Sequence, residues 1–314
     1  MSRCLVIGAG VMGLCQAHSL ALKHQVVLMP SPYDQINVQD GAIQSPFGSI
    51  NASVSLFDSD NSTAFDFVFI ATSVSGLPWV QEIVAQHGLD RLIVLAKGWT
   101  VDNASLVCPF EILIKQHSVY HIAVISGPCL AKDLYQGLGV WNDIAASSSS
   151  FLADCLACLV DDGYHLNPVS CLHAISIFGA LKNCYAIAIA GFLQQSISLA
   201  AAKTIHAVNE MNAFYVQYQS IKAFAPDLSI VHGVCGAGDL MLTAQGGRNG
   251  RLGSLLAQHG CINKALTELE GVTLEGYALA QKLQQCDQVD FQQLPILKSL
   301  LSVLLGDKAF SCLL

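Results

Sequence analysis

The sequence predicts an α/β chain, with a doubly wound parallel sheet over residues 1–166 followed by an all-helical domain over residues 167–314. Three observations lead there. Short, wholly apolar runs recur through the first half, separated by helical or loop stretches, as expected of strands buried on both faces of a parallel sheet. From about Asn167 the β-branched clusters thin out and apolar residues recur at helical spacing. At 314 residues the chain also exceeds what one hydrophobic core serves, so two domains are expected. Apolar residues make up 53% and charged residues only 12%, which excludes a disordered chain.

The first element is Cys4-Leu5-Val6-Ile7, a buried strand. It runs directly into Gly8-Ala9-Gly10-Val11-Met12-Gly13 and a helical stretch, Leu14 to Leu22, and a second apolar run, Val26-Val27-Leu28-Met29, follows. This strand–turn–helix–strand context is what a G-x-G-x-x-G motif needs to signify a Rossmann-like dinucleotide site. Its glycines make the tight turn, admit a pyrophosphate and pack helix on strand, while the helix N-terminus offers partial positive charge. Further strands are expected at Phe67–Ile70, Leu92–Leu95 and Ile122–Ile125. Their tips, Ala71-Thr72-Ser73, Ala96-Lys97-Gly98 and Ser126-Gly127-Pro128, lie where ligands bind such sheets. No Asp or Glu closes the second strand, which ends Met29-Pro30-Ser31, and no Arg stands there for a 2′-phosphate. Asp34 lies too far along to count, so the residues point to NAD or NADP without a preference.

In the second half, helices are expected over Val169–Leu193, Ser198–Ala223, Gly250–His259, Glu275–Gln284 and Gln293–Leu305. The first contains Gly179-Ala180-Leu181-Lys182-Asn183. A lysine in mid-helix among apolar residues is either snorkelling to the surface or held as a general acid/base, with a neighbouring cation such as Lys97 tuning it and Asp239 balancing it. Downstream, Val234–Leu240 and Gly246-Gly247-Arg248-Asn249 read as two glycine-rich bends. Arg248 could grip a phosphate and Asn249 donate to its remaining oxygens, which suits a small anionic substrate. The plainer alternative is a polar turn capping two helices.

The bulk properties narrow the partners. A formal charge of −8 and the absence of a basic cluster exclude a nucleic-acid footprint. Mean hydropathy is +0.49, but the most apolar stretch, Val169 to Leu193, is interrupted by His173 and Lys182-Asn183. No integral membrane segment is therefore expected. Met1 to Ala17 superficially resembles a signal peptide; Gly8, Gly10 and Gly13 explain that run differently, so a cytoplasmic protein is expected. Its twelve cysteines then read as reduced thiols. Cys155-x-x-Cys158 finds no second pair or histidine pair to complete a zinc site, so no metal is expected.

Taken in order, the blocks Gly8–Gly13, Leu95–Gly98, Ile125–Ala131, Gly179–Asn183, Gly236–Leu240, Gly246–Asn249 and Glu270-Gly271-Val272 resemble the NAD(P)-dependent glycerol-3-phosphate dehydrogenase family, nearly from end to end. The resemblance implies hydride transfer between NAD(P)H and dihydroxyacetone phosphate or sn-glycerol 3-phosphate, supplying phospholipid synthesis. It implies Lys182 as proton acceptor for the C2 hydroxyl, Lys97 to hold and polarise the substrate, and Asp239 as the third catalytic residue. Gly127, Cys129, Asn183, Arg248 and Asn249 would complete the substrate site. Gly8, Gly10, Val11, Met12, Gly13, Lys97, Ala131, Arg248 and Glu270 would contact the cofactor, and a homodimer is implied.

The chain departs from the family pattern in places. Met12 stands where Trp or Phe is usual, Cys129 replaces a serine, His206 occupies the register of an expected arginine, and Pro30 to Asp66 is short and divergent. Two other readings stay open. One is a related hydroxyacid dehydrogenase or ketopantoate reductase, although neither accounts for Arg248-Asn249, and the former usually carries an Asn four residues past its lysine, where Ala186 stands. The other is a non-catalytic dinucleotide-binding sensor.

Overall fold

A computed structural model describes residues 1–58, 64–102, 105–116, 119, 121–160, 164–222, 227–306 and 308–313. The chain divides into two units, Met1–Lys97 with Pro109–Leu172, and Gly98–Cys108 with His173–Leu314.

The first unit is built on an eight-stranded sheet: β1 (Arg3–Ile7), β2 (Gln25–Met29), β3 (Ser55–Leu56), β4 (Phe67–Ile70), β5 (Leu92–Val94), β6 (Ile122–Ser126), β7 (Val140–Ala146) and β8 (Tyr164–Pro168). Their spatial order is β8-β7-β6-β5-β4-β1-β2-β3. All pairs are parallel except β6 with β7, whose register sets Ile125 opposite Ile144. Every residue of β4, β5 and β6 is buried, which is why these strands show as unbroken apolar runs. β7 and β8 carry no such run. Asn142 and Asp143 are buried polar residues of β7 while its Trp141 faces out, and β8 is a half-exposed edge strand ending in Pro168.

Strand order reverses between β1 and β4, with β2 on one side and β5 on the other, which makes their carboxyl ends the topological switch point. Helix α1 (Val11–Leu20) leaves β1 across the glycine turn and buries Leu14, Cys15, Ala17 and Leu20 in the sheet core. The divergent stretch after β2 holds β3 and a small antiparallel sheet of Val38–Gln39, Ala42–Ser45 and Gly48–Ser49; its residues 59–63 lie outside the described ones. Helices α2 (Leu77–Gln86), α3 (Pro109–Gln116), α4 (Ala131–Tyr135) and α5 (Ser149–Leu159) complete the unit.

The second unit is helical: α6 (Leu172–Leu193), α7 (Ile197–Lys222), α8 (Asp239–Gln245), α9 (Gly247–His259), α10 (Ile262–Thr267), α11 (Glu275–Leu283) and α12 (Pro295–Leu304). The five expected helices are present, with ends shifted by a few residues; Ala223 lies outside the described residues. α6 is long and apolar enough to cross a bilayer, yet every residue from Ala174 to Phe192 is buried in the fold. Its neighbours supply what a lipid would.

The division does not follow the change of texture at residue 166. β8 runs across that point, and Gly98–Cys108 joins the helical unit. The reason is Trp99, 1% exposed, which stacks on Phe214 at 5.3 Å and Tyr218 at 6.0 Å between ring centroids. Tyr218 Oη also donates to Leu106 O at 3.1 Å, and Lys282 Nζ donates to Trp99 O. Burying an indole and two phenyl-type rings outweighs the sequence proximity to β5 of this hairpin, in which Thr100–Asp102 pairs antiparallel with Ser105–Val107.

Candidate active site

In the first unit the candidate residues collect at the carboxyl ends of the strands. The glycine turn follows β1. Gly8 holds a φ of +105°, and a Cβ built on Gly13 would lie 2.0 Å from Gly8 O. These two positions are closed to any side chain. A Cβ on Gly10 would meet nothing within 4 Å. Gly10 also caps α1 with no side-chain acceptor over the helix's first N–H groups, among which are Val11 and Met12. A turn packed from behind and open in front, at a helix N-terminus, fits a dinucleotide pyrophosphate.

Lys97, at the tip of β5, donates from Nζ to Gly127 O at 3.0 Å, at the tip of β6. Two of the expected substrate residues are thus joined directly. Cys129 lies half-buried just beyond, near Cys15, whose thiol is pushed up to about 11 by burial and by Cys129. Ala131 opens α4.

In the second unit Lys182 is 6% exposed in the middle of α6. It does not snorkel. Its Nζ donates to Asp239 Oδ1 at 2.9 Å and to Thr243 Oγ1 at 2.6 Å. Asp239, 2% exposed, opens α8 directly after a π-helical turn over Val234–Gly238, in which Gly238 N reaches back to Gly233 O at 3.2 Å. The first glycine-rich bend is therefore a widened helical turn, a feature frequent at functional sites, and it delivers Asp239 beneath Lys182.

The second bend is as expected, with Gly246 and Gly247 leading into α9. Its two polar residues part ways. Arg248 is half-exposed and pairs with Glu275. Asn249 is buried: its Nδ2 donates to Asn183 Oδ1 at 2.9 Å, and its Oδ1 accepts from Gly276 N at 3.0 Å. The amide expected to reach a phosphate thus ties α6, α9 and α11 together through these two bonds. Asn183 belongs to the same lock. Glu270 is exposed in the turn after α10, with no hydrogen bond or ion pair among the described residues.

Sequence reasoning missed three residues. Thr243 lies one helical turn past Asp239, so i,i+4 spacing would have flagged it. Glu275 gave no signal beyond its charge. Asp34, set aside as too distant from β2, accepts from Ala9 N inside the glycine turn at 2.8 Å.

One further cluster lies away from these residues. Cys4, His24 and Cys158 offer ligand atoms within 4.8 Å of one another, a grouping that cysteine spacing did not reveal. However, His24 Nδ1 accepts from Ser2 N, so Nε2 carries the proton and donates to Cys158 O at 3.1 Å. Both ring nitrogens are engaged in hydrogen bonds.

A doubly wound sheet with an open glycine turn at its switch point, in one chain with a helical unit carrying a buried lysine–carboxylate pair, is an arrangement that suits a nicotinamide-dependent oxidoreductase. Comparison with known proteins narrows the class. Residues 172–314 match the family model for the C-terminus of NAD-dependent glycerol-3-phosphate dehydrogenase. The chain is 27% identical to the glycerol-3-phosphate dehydrogenase [NAD(P)+] of Campylobacter jejuni subsp. doylei, covering 97% of this chain and 95% of that one. It is 28% identical to the NADP(+)-dependent glycerol-3-phosphate dehydrogenase of Archaeoglobus fulgidus, over 69% of this chain and 67% of the relative. Its fold matches the crystal structure of glycerol-3-phosphate dehydrogenase from Coxiella burnetii with a TM-score of 0.80 at 20% identity, covering 96% and 94% of the two chains. The chain is thus similar to glycerol-3-phosphate dehydrogenases over nearly its whole length, and its residues 172–314 to the C-terminal part of the NAD-dependent ones.

Proposed function

We propose that the chain reduces dihydroxyacetone phosphate to sn-glycerol 3-phosphate with NADH or NADPH, and catalyses the reverse oxidation, with Lys182 as its acid/base. The observation that carries this reading is the buried Lys182, held by Asp239 and Thr243 in the unit that matches the family model. When bound, the nicotinamide ring supplies or accepts the hydride. Everything else falls to the side chains.

In the reductive direction the Lys182 ammonium gives a proton from Nζ to the ketone oxygen as C2 gains the hydride. In the oxidative direction neutral Lys182 takes the proton of the C2 hydroxyl as the hydride leaves. Asp239 balances the ammonium charge and, with Thr243, fixes where Nζ lies, so little reorganisation is needed at the moment of transfer. Arg248 binds the phosphate, exchanging Glu275 for it. In this reading Lys97 holds the substrate oxygens, and Gly127 keeps that lysine in place. Asn249 and Asn183 act as positioning residues for the Arg248 turn. A homodimer and a cytoplasmic location are part of the proposal, supported by the family resemblance; sedimentation velocity tests the former.

The decisive assay follows absorbance at 340 nm with dihydroxyacetone phosphate and NADH or NADPH, with Lys182→Ala as control. Turnover by the native chain and none by the variant, with dinucleotide binding kept in both, is the expected result. Dinucleotide binding without turnover in the native chain would overturn the substrate assignment.

A further inference from the structure

A dinucleotide-binding sheet of this order ordinarily ends its second strand on an acid that receives the adenosine ribose. Here β2 ends at Met29, and Pro30-Ser31 offer no such group. The chain then doubles back. Ser31-Pro32-Tyr33-Asp34 forms a turn closed by Asp34 N donating to Ser31 O at 3.0 Å, with Pro32 at the position such turns favour. The turn carries the Asp34 carboxylate back to the glycine loop, where Oδ2 accepts from Ser31 N at 2.7 Å and from Ala9 N at 2.8 Å. Gly8 N is tied to Met29 O at 2.8 Å, so loop and strand end are fastened at two points. Both of these bonds fall on Oδ2. Oδ1 has no partner among the described residues.

We propose that Asp34 selects the cofactor, accepting hydroxyl hydrogens of the adenosine ribose at Oδ1 and excluding a 2′-phosphate, so that this chain uses NAD(H) rather than NADP(H). The proposal rests on the dinucleotide reading given above. Three features carry it. The acid lies beyond the end of β2, where sequence distance alone would pass it over, and a turn carries its carboxylate back to the glycine loop. A carboxylate only accepts, so it complements hydroxyls and repels a group of charge near −2. Finally, no lysine, arginine or histidine occurs from Met29 to Gln86, whereas that stretch holds five aspartates, the last of them Asp66. That stretch offers no cation to neutralise a 2′-phosphate. The Archaeoglobus relative is named for NADP(+), so the proposal gives this chain the opposite preference.

The test is equilibrium binding of NADH and NADPH to the full chain by fluorescence titration, without substrate. Losing one charge-assisted contact and gaining a repulsion implies NADH binding about 10- to 100-fold tighter than NADPH. Asp34→Asn should reduce that ratio by about tenfold. Because Asp34 also braces the glycine loop, Tyr33→Arg serves as a second variant. Tyr33 is 84% exposed, so its replacement leaves the packing alone while adding a cation beside the site, and NADPH affinity should rise. Equal affinities in the native chain, or a ratio unchanged in both variants, would overturn the proposal. Failure to bind either dinucleotide would overturn it together with the reading of Gly8–Gly13. Strong NADH preference without reduction of dihydroxyacetone phosphate would support Asp34 and sink only the substrate assignment.

Discussion

Lys182 carries a charge to a place that is 6% exposed, and the folded chain tolerates it because a carboxylate and a hydroxyl meet it there. Removing one partner of such a pair costs more than the pair contributes, since the survivor is left charged and dry. Asp239→Asn should therefore lower stability by about 3–5 kcal/mol in denaturant unfolding, and adding Lys182→Met should restore most of it. Purely additive losses in the double variant would show that the pair does not interact. Arg248 makes a different case, being half-exposed and already paired with Glu275. Arg248→Ala should raise the apparent substrate constant by the equivalent of about 2–4 kcal/mol, the worth of a charge-assisted phosphate contact. Glu275→Gln should lower that constant, because the phosphate then has no competitor. Steady-state kinetics on the two variants must move in opposite directions if Arg248 is the phosphate ligand.

At the scale of elements, two contacts fix how neighbouring elements meet. The glycine turn depends on α1 lying flush against β1. A methyl group on Gly13, 2.0 Å from Gly8 O, would force the helix off the strand. Gly13→Ala should cost about 1–3 kcal/mol, read as a lower midpoint of unfolding, and weaken NADH binding as well. The start of α12 depends on Glu210, which is buried on α7. It accepts from Ile296 N at 2.7 Å, Leu297 N at 3.0 Å and Tyr185 Oη at 3.1 Å. Burial lifts its carboxyl above the ordinary 4.5, in spite of these donors. The folded chain thus holds that proton more tightly than the unfolded chain does. This contribution to stability is fully present below pH 4.5 and is lost as pH rises through the raised value. Glu210→Gln removes the titration. Whatever its absolute stability, its unfolding free energy should fall less than the native chain's over that rise in pH, and an identical slope would refute the assignment.

Across the whole molecule, the two units are stabilised by different means. The first relies on strands whose every side chain is buried, the second on α6, which is surrounded throughout its length. A ligand that binds only the folded first unit should raise its stability by mass action. NADH at a hundredfold excess over its dissociation constant should add about 2.7 kcal/mol and raise the melting temperature by about 5–10 °C. The absence of any shift, or one as large in a variant that cannot bind the cofactor, would count against a dinucleotide site in that unit.

Much of this molecule follows from the order of its residues. β1, β2, β4, β5 and β6 were legible because a strand buried on both faces has no choice but to be apolar throughout, and the glycine motif because Gly8 and Gly13 admit no side chain. The helical texture of the second half was legible for similar local reasons, and Lys182 drew notice as a cation within its most apolar helix. β7 and β8 were not, since an edge strand and one with buried polar residues lack that periodicity. What only the tertiary structure decided are the relations between distant residues. Trp99 stacks with Phe214 and Tyr218 and so draws its hairpin into the helical unit. Asn249 turns inward to Asn183 rather than outward. Asp34, passed over in the sequence, returns to Ala9 through a proline turn. Local sequence sets backbone preference and burial pattern, but a hydrogen bond across twenty-five residues depends on where both ends are carried, and only the packed chain specifies that.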